Sequence, residues 1–148
     1  MSSAKTKARQ CAVQALYQWQ MTGQTLNVIE REFQAEQRLK NAQKSYFSDI
    51  LHGVPKQLDK IDTALSDFVD REVEKIDPVE RAILRIAVYE LLNKPETPYR
   101  VVINEGVELA KCFGADGSHR YVNGVLDKVA QQQRKVEIES KQKKSGDA

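Results

Sequence analysis

Asp77-Pro-Val-Glu-Arg-Ala-Ile-Leu-Arg-Ile-Ala-Val-Tyr-Glu-Leu-Leu-Asn93 is the stretch that decides the fold. Asp77 is a capping residue type. Pro78 suits the first helical position, because its ring presets φ and no N–H is needed there. Glu80 falls three residues after the cap, where its carboxylate can return to the cap's own N–H. The helix this predicts over 78–93 is apolar nearly all round, through Val79, Ala82, Ile83, Leu84, Ile86, Ala87, Val88, Leu91 and Leu92. A helix without a broad polar face has to be covered by others, so it is expected at the centre of the molecule.

The flanking segments carry the same helical period. Thr97-Pro98 repeats the cap-then-proline start, and the helix predicted over 98–113 buries Val102, Ile103, Val107, Leu109, Ala110 and Phe113 before Gly114 closes it. Gly106 within it costs about 1 kcal/mol relative to Ala unless a neighbouring helix packs closely there. A last helix is expected from Asp116–Ser118, with Asp116 as cap candidate and Val122, Val125, Leu126 and Val129 inside. Towards the N-terminus, Phe47, Ile50, Leu51, Val54, Leu58, Ile61, Leu65 and Phe68 recur in steps of three and four, with a kink or break expected near Gly53–Pro55. Residues 6–21 bury Ala12, Ala15, Leu16 and Trp19 and stop at Thr22-Gly23. Thr25 then caps a helix with Leu26, Ile29 and Phe33 on one stripe. No segment keeps a period of two. The expected fold class is all-α, with about seven helices in two packed sub-bundles. Residues 1–132 form one domain and 133–148 a polar, disordered tail.

The 148 residues and 41% hydrophobic content suit one domain. No apolar run approaches the ~18 residues that cross a bilayer, and no secretory leader pattern is present, so a cytoplasmic protein is expected. Two Cys and two His support neither a disulfide framework nor a zinc site of familiar spacing. There is no phosphate loop, nucleophile elbow, paired zinc histidine or EF-hand loop. Glu105 and Glu108 share a helix face, but no His follows either by three residues as a di-iron site needs. The expectation is no enzyme, no cofactor and no metal.

Net charge is +2, but it is unevenly placed. Residues 1–10 hold three bases and no acid, and residues 131–148 five bases and three acids, leaving 15 bases and 18 acids in 11–130. Basic ends on an acidic body suit an anionic partner, and equally a chain kept soluble by its ends. Two segments carry anion-binding chemistry. In the first, Lys5, Lys7 and Arg9 precede Gln14 and Tyr17 on roughly one side of a helix; the same residues also read as an ordinary solvated helix. In the second, Gly114-Ala-Asp-Gly-Ser118-His119-Arg120-Tyr121 leads into a helix N-terminus. There, N–H groups and a hydroxyl favour an anion, the arginine offers a planar fork, and the rings can stack on bases. An ordinary helix start reads the same way.

Four runs taken together go further: Ala8-Arg-Gln-Cys-Ala-Val-Gln-Ala-Leu-Tyr-Gln-Trp19, Glu80-Arg-Ala-Ile-Leu-Arg-Ile-Ala-Val-Tyr-Glu-Leu91, Pro98-Tyr-Arg-Val-Val-Ile-Asn-Glu-Gly-Val-Glu-Leu-Ala-Lys111 and Ser118-His-Arg-Tyr-Val-Asn-Gly-Val-Leu-Asp127. In this order, over residues 6–130, the chain resembles the NusB family of transcription antitermination factors. The resemblance implies an all-helical fold and a partner, NusE, which is also a small-subunit ribosomal protein. It implies binding of boxA RNA and, with NusA and NusG, resistance of RNA polymerase to Rho-dependent termination on ribosomal RNA operons. The family's RNA surface maps onto Lys5, Lys7, Arg9, Gln14, Tyr17, Ser118, His119, Arg120 and Tyr121, and Glu80 falls near its NusE interface. Two departures stand out. Lysines alternate with Thr6 and Ala8 where the family often has an arginine run, and Gly117 replaces a commonly acidic residue. Alternatives are a homodimeric scaffold, since some members self-associate, or an RNA-binding module like that of ribosomal RNA methyltransferases, although no catalytic domain follows residue 130.

Overall fold

The computed structural model describes residues 3–146, and among them every regular element is helical. The α-helices are α1 (Ala4–Thr22), α2 (Leu26–Ala35), α3 (Lys44–Lys56), α4 (Leu58–Ser66), α5 (Pro78–Asn93), α6 (Tyr99–Phe113), α7 (Ser118–Gln133) and α8 (Lys135–Gly146), with a short 3-10 turn at Val73–Lys75 before α5. Met1, Ser2, Asp147 and Ala148, the ends of the expected domain and tail, lie outside the described residues.

The central position expected for α5 is what the structure has. Every residue from Arg81 to Leu91 is buried, and α1, α3, α4, α6 and α7 all pack against it. Asp77 caps it by accepting the N–H groups of Val79 and Glu80 at 3.0 and 3.2 Å. The first sub-bundle, α1–α3, closes over Phe33 and Phe47, whose rings stack with centroids 5.6 Å apart. In the second, α6 and α7 run close: a Cβ on Gly106 would stand 2.8 Å from Leu126 Cδ1, which is why the mid-helix glycine is tolerated.

Several boundaries differ from the sequence reading. The break expected near Gly53–Pro55 is present but falls just after it. Pro55 sits inside the last turn of α3, the Gln57 N–H still reaches the Gly53 carbonyl at 3.0 Å, and the joint falls at Gln57. Phe68 lies in the turn beyond α4 and is half-buried. Pro98, not Thr97, takes the cap position of α6, and Gly117, not Asp116, that of α7. Thr25 holds the cap position of α2 without a side-chain bond.

The largest correction concerns the expected tail, because residues 135–146 are helical. Its anchor is Arg134, 7% exposed, whose guanidinium donates to the carbonyls of Leu91, Lys94 and Thr97 at 2.8–2.9 Å and to the Glu137 carboxylate at 2.6 Å. A cation there satisfies carbonyls that the end of α5 leaves open. Glu137 in turn accepts the Tyr99 N–H at 3.0 Å. One arginine and one glutamate make no periodic signal, and Val136 is 80% exposed, so sequence pattern could not find this docking.

Burial opposes the charge on Glu137, but the Tyr99 N–H, Arg134 and Lys141 hold its carboxyl below the ordinary 4.5. A carboxyl depressed in the folded state stabilises fully above its unfolded value and less as pH falls through its folded one. Acidification from neutral pH to below that range is therefore expected to raise hydrogen exchange in 135–140 relative to α5. Glu137→Gln should show fast exchange there already at neutral pH; an unchanged acid response in that variant would assign the effect to another group.

Candidate nucleic-acid interface

The N-cap of α1 is Ser3, whose hydroxyl accepts the Thr6 N–H at 3.0 Å. Lys5, Lys7 and Arg9 thus lie within the helix and, at 100° per residue, do not share one direction. Lys5 is exposed, its ammonium 5.2 Å from the centre of the Tyr46 ring, and Lys94 sits 5.5 Å over the same ring. Lys7 is half-buried on the side of Cys11 and Arg38. Arg9 turns inward and is 3% exposed. Its Nε and Nη2 reach both Glu90 oxygens at 2.8–3.1 Å, its Nη1 stands 3.5 Å from Glu105, and the Tyr46 hydroxyl also donates to Glu90. Arg9, expected as a phosphate contact, is therefore a core ion pair. Its partner lies 81 residues away, which a local reading of the N-terminus does not reach.

On the outer side of α1, Gln14, Tyr17 and Met21 line a groove of about 440 Å³ together with Arg38, Val79 and Phe113. Tyr17 is 39% and Met21 55% exposed. The Gln14 amide is engaged at both ends: its Oε1 accepts from Arg38 Nη2 at 2.8 Å and its Nε2 donates to the Gln10 carbonyl at 3.3 Å. Gln14 orients Arg38 rather than standing open to a ligand.

The turn before α7 bends through Gly117 at φ 84, a conformation that L side chains rarely adopt. Two of the N–H groups expected to be open close the turn instead, Ser118 onto Ala115 at 3.0 Å and Arg120 onto Gly117 at 3.1 Å. Ser118 is buried, and its hydroxyl donates to Glu80 Oε2 at 2.7 Å. This corrects two expectations at once. Glu80 does not bond back to its own cap, and Ser118 does not offer its hydroxyl to an anion; together they tie the start of α7 to the start of α5. His119 is half-buried and Arg120 exposed. Tyr121 is half-buried, its hydroxyl has no protein partner, and Arg71 stands 6.0 Å from its ring centre. Burial, with Asp70 close by, pushes its phenol up. Arg71, Glu80, Gly117 and Tyr121 line a second, smaller depression, which meets the first where Val79 lines one and Glu80 the other. Tyr17 and Arg38 line the first and Arg71 and Tyr121 the second; Lys7 lines neither but stands on the side of Cys11 and Arg38, and these residues make up a strip from Lys7 to Tyr121. Arg38 and Arg71, both in connections without periodic pattern, are the members that sequence reading missed.

Residues 6–131 match the model of the NusB family. The chain belongs to the NusB family. It is 51% identical over 141 residues to the transcription antitermination protein NusB of Nitrosococcus oceani, covering 95% of each chain. Identity to the NusB of Pseudomonas savastanoi is 50% over 139 residues, covering 94% of this chain and 84% of that one. A solved structure of antitermination factors NusB and NusE in complex with dsRNA superposes with a TM-score of 0.79 at 26% identity, over 89% of this chain and 99% of that one.

In this NusB-family chain the remaining reactive groups are engaged or scattered. Glu105 accepts from Thr6 Oγ1 at 2.9 Å and Glu108 stands 3.5 Å from Lys111, so the two carboxylates do not converge. His52 meets Glu30 at 3.1 Å, and burial pushes the Cys11 thiol up. Among the described residues no three His, Cys, Asp or Glu side chains are placed to hold a metal, and no helix is long and apolar enough to cross a membrane.

Proposed function

We propose that this NusB-family chain acts in transcription antitermination by pairing with NusE and holding boxA RNA along the strip from Lys7 to Tyr121. Bound there, with NusA and NusG, it makes RNA polymerase resistant to Rho-dependent termination on ribosomal RNA operons, in the cytoplasm. The observation that carries the reading is the strip itself, in which exposed or half-exposed rings, Tyr17 and Tyr121, stand beside cations, Arg38 and Arg71, along two adjoining depressions. Single-stranded RNA is recognised by such surfaces, the rings stacking on splayed bases and the cations meeting phosphates.

The tasks divide by exposure. Lys5, Lys7 and Arg120 meet phosphate, Tyr17, His119 and Tyr121 meet bases, and Arg9, Gln14 and Ser118 hold the face in shape. The test is a salt titration of boxA RNA binding with and without NusE. Binding should tighten with NusE present and should exceed that of a scrambled RNA; equal binding of the two RNAs by the pair would contradict the reading. Neutralising Lys5 and Lys7 should reduce the log–log salt slope by about 0.7 per lost contact. Tyr121→Ala should weaken binding by roughly 1–3 kcal/mol and leave the slope unchanged.

Glu80 lies at the start of α5 and is half-buried beneath the α7 turn. An acid there complements a basic ribosomal protein. Glu80→Lys is therefore expected to weaken NusE binding far more than it lowers stability. Glu80→Gln keeps an acceptor for Ser118 while removing the charge, and should weaken NusE binding with little change in melting. NusE affinity equal to wild type in both variants would leave Glu80 only its role in joining α5 to α7.

A further inference from the structure

With Arg9 in the core, the groove side of α1 carries no arginine of its own. Arg38 supplies one from the connection between α2 and α3. That connection is firmly seated. The Arg38 N–H reaches the Phe33 carbonyl at 2.9 Å, and the Arg38 carbonyl accepts from Cys11 Sγ at 3.3 Å. Leu39 is buried, Gln37 and Asn41 take left-handed backbone angles of 57° and 67°, and the Gln43 N–H closes onto the Ala4 carbonyl at 3.0 Å. The connection is thus fastened to α1 at Cys11 and at the first helical residue.

The side chain is as constrained as its backbone. The guanidinium lies 3.8 Å from the centre of the Phe33 ring, and Nη2 donates to Gln14 at 2.8 Å. Nη1 stands 3.6 Å from Glu36, but both side chains are open to solvent, 36% and 61% exposed, and such a pair is weak and readily exchanged for a stronger anion. A guanidinium fixed by a ring on one face and an amide at one edge has little rotamer freedom left to lose, and its planar fork matches a phosphate. It lines the same groove as Tyr17 and Met21. We propose that Arg38 binds a backbone phosphate of single-stranded RNA lying on the α1 face, so that the α2–α3 connection is part of the RNA-binding surface. The inference rests on the RNA reading above and adds a residue to it.

The test compares wild type, Arg38→Gln, Arg38→Lys and Arg31→Gln, each paired with NusE, in salt titrations with the same boxA RNA. Arg31 is exposed on α2, does not line the groove, and controls for net charge. Arg38→Gln should bind about tenfold more weakly at low salt, with a slope shallower by about 0.7. Arg38→Lys should keep the slope but lose affinity with the fork, and Arg31→Gln should match wild type. A second measurement needs no variant: the Arg38 Nε–H resonance of the wild-type pair should shift on saturation with RNA, and that of Arg31 should not. Binding by wild type together with an Arg38→Gln indistinguishable from Arg31→Gln, or an unmoved Arg38 resonance, would overturn the proposal and leave the RNA reading standing. Failure of wild type itself to bind would remove both.

Discussion

Ile83→Asp or Ile86→Asp is expected to abolish the cooperative melting of this chain. Both side chains lie on α5, at 0% and 1% exposure, and the helices of both sub-bundles pack against it. A carboxylate placed there is taken out of water into a packed core, so it either remains charged at a cost of several kcal/mol or takes up a proton at a comparable one. The apolar contacts of the isoleucine, roughly 1.5–3 kcal/mol, are lost as well. Against a total stability of ~5–15 kcal/mol, that leaves little folded protein. Circular dichroism during heating reads the result. A wild-type transition in either variant would mean that α5 is not the helix on which the fold is assembled.

Arg9→Ala should be nearly as damaging, by a different route. Glu90 is 1% exposed and, with Arg9 removed, would keep only the Tyr46 hydroxyl as a close partner. Breaking a buried pair from one side costs about 3–5 kcal/mol, because the remaining charge is stranded, while removing both charges together is often nearly neutral. Arg9→Met with Glu90→Leu is therefore expected to recover most of the melting temperature that Arg9→Ala loses. If Arg9 were instead a phosphate contact, Arg9→Ala would melt like wild type and flatten the salt dependence of RNA binding.

These two variants also mark where sequence reading succeeds and where it stops. Ile83 and Ile86 are legible because apolar periodicity is a local property, and the Asp77-Pro78 start made the register of α5 plain. The charged residues of the same helix were not legible. Arg85 is buried because it reaches Asp62 at 2.8 and 3.0 Å, Glu74 at 2.9 Å and Gln20 at 3.0 Å, partners brought in from α4, the 3-10 turn and α1. Arg134 likewise closes the end of α5 from more than 40 residues away. A buried ion pair has no period; it exists only once the fold has brought two distant segments together. The candidate site divides in the same way. Lys5, Tyr17 and Arg120 were found as exposed chemistry on helices, and the structure leaves them at the surface. Arg9, Gln14 and Ser118 have chemistry that suits RNA, but their polar atoms meet Glu90, Arg38 and Glu80 instead. Arg38 and Arg71 sit in connections, where neither helical period nor capping pattern singles out a residue.

Ultraviolet crosslinking of boxA RNA to the chain–NusE pair, read residue by residue by mass spectrometry, tests most directly that one strip from Lys7 to Tyr121 holds the RNA. Crosslinks are expected at Tyr17 and Tyr121, with Lys7 among their neighbours, and none at His52 and Lys56, which line a separate depression. Crosslinks gathered at His52 and Lys56, with Tyr17 and Tyr121 unmodified, would contradict it.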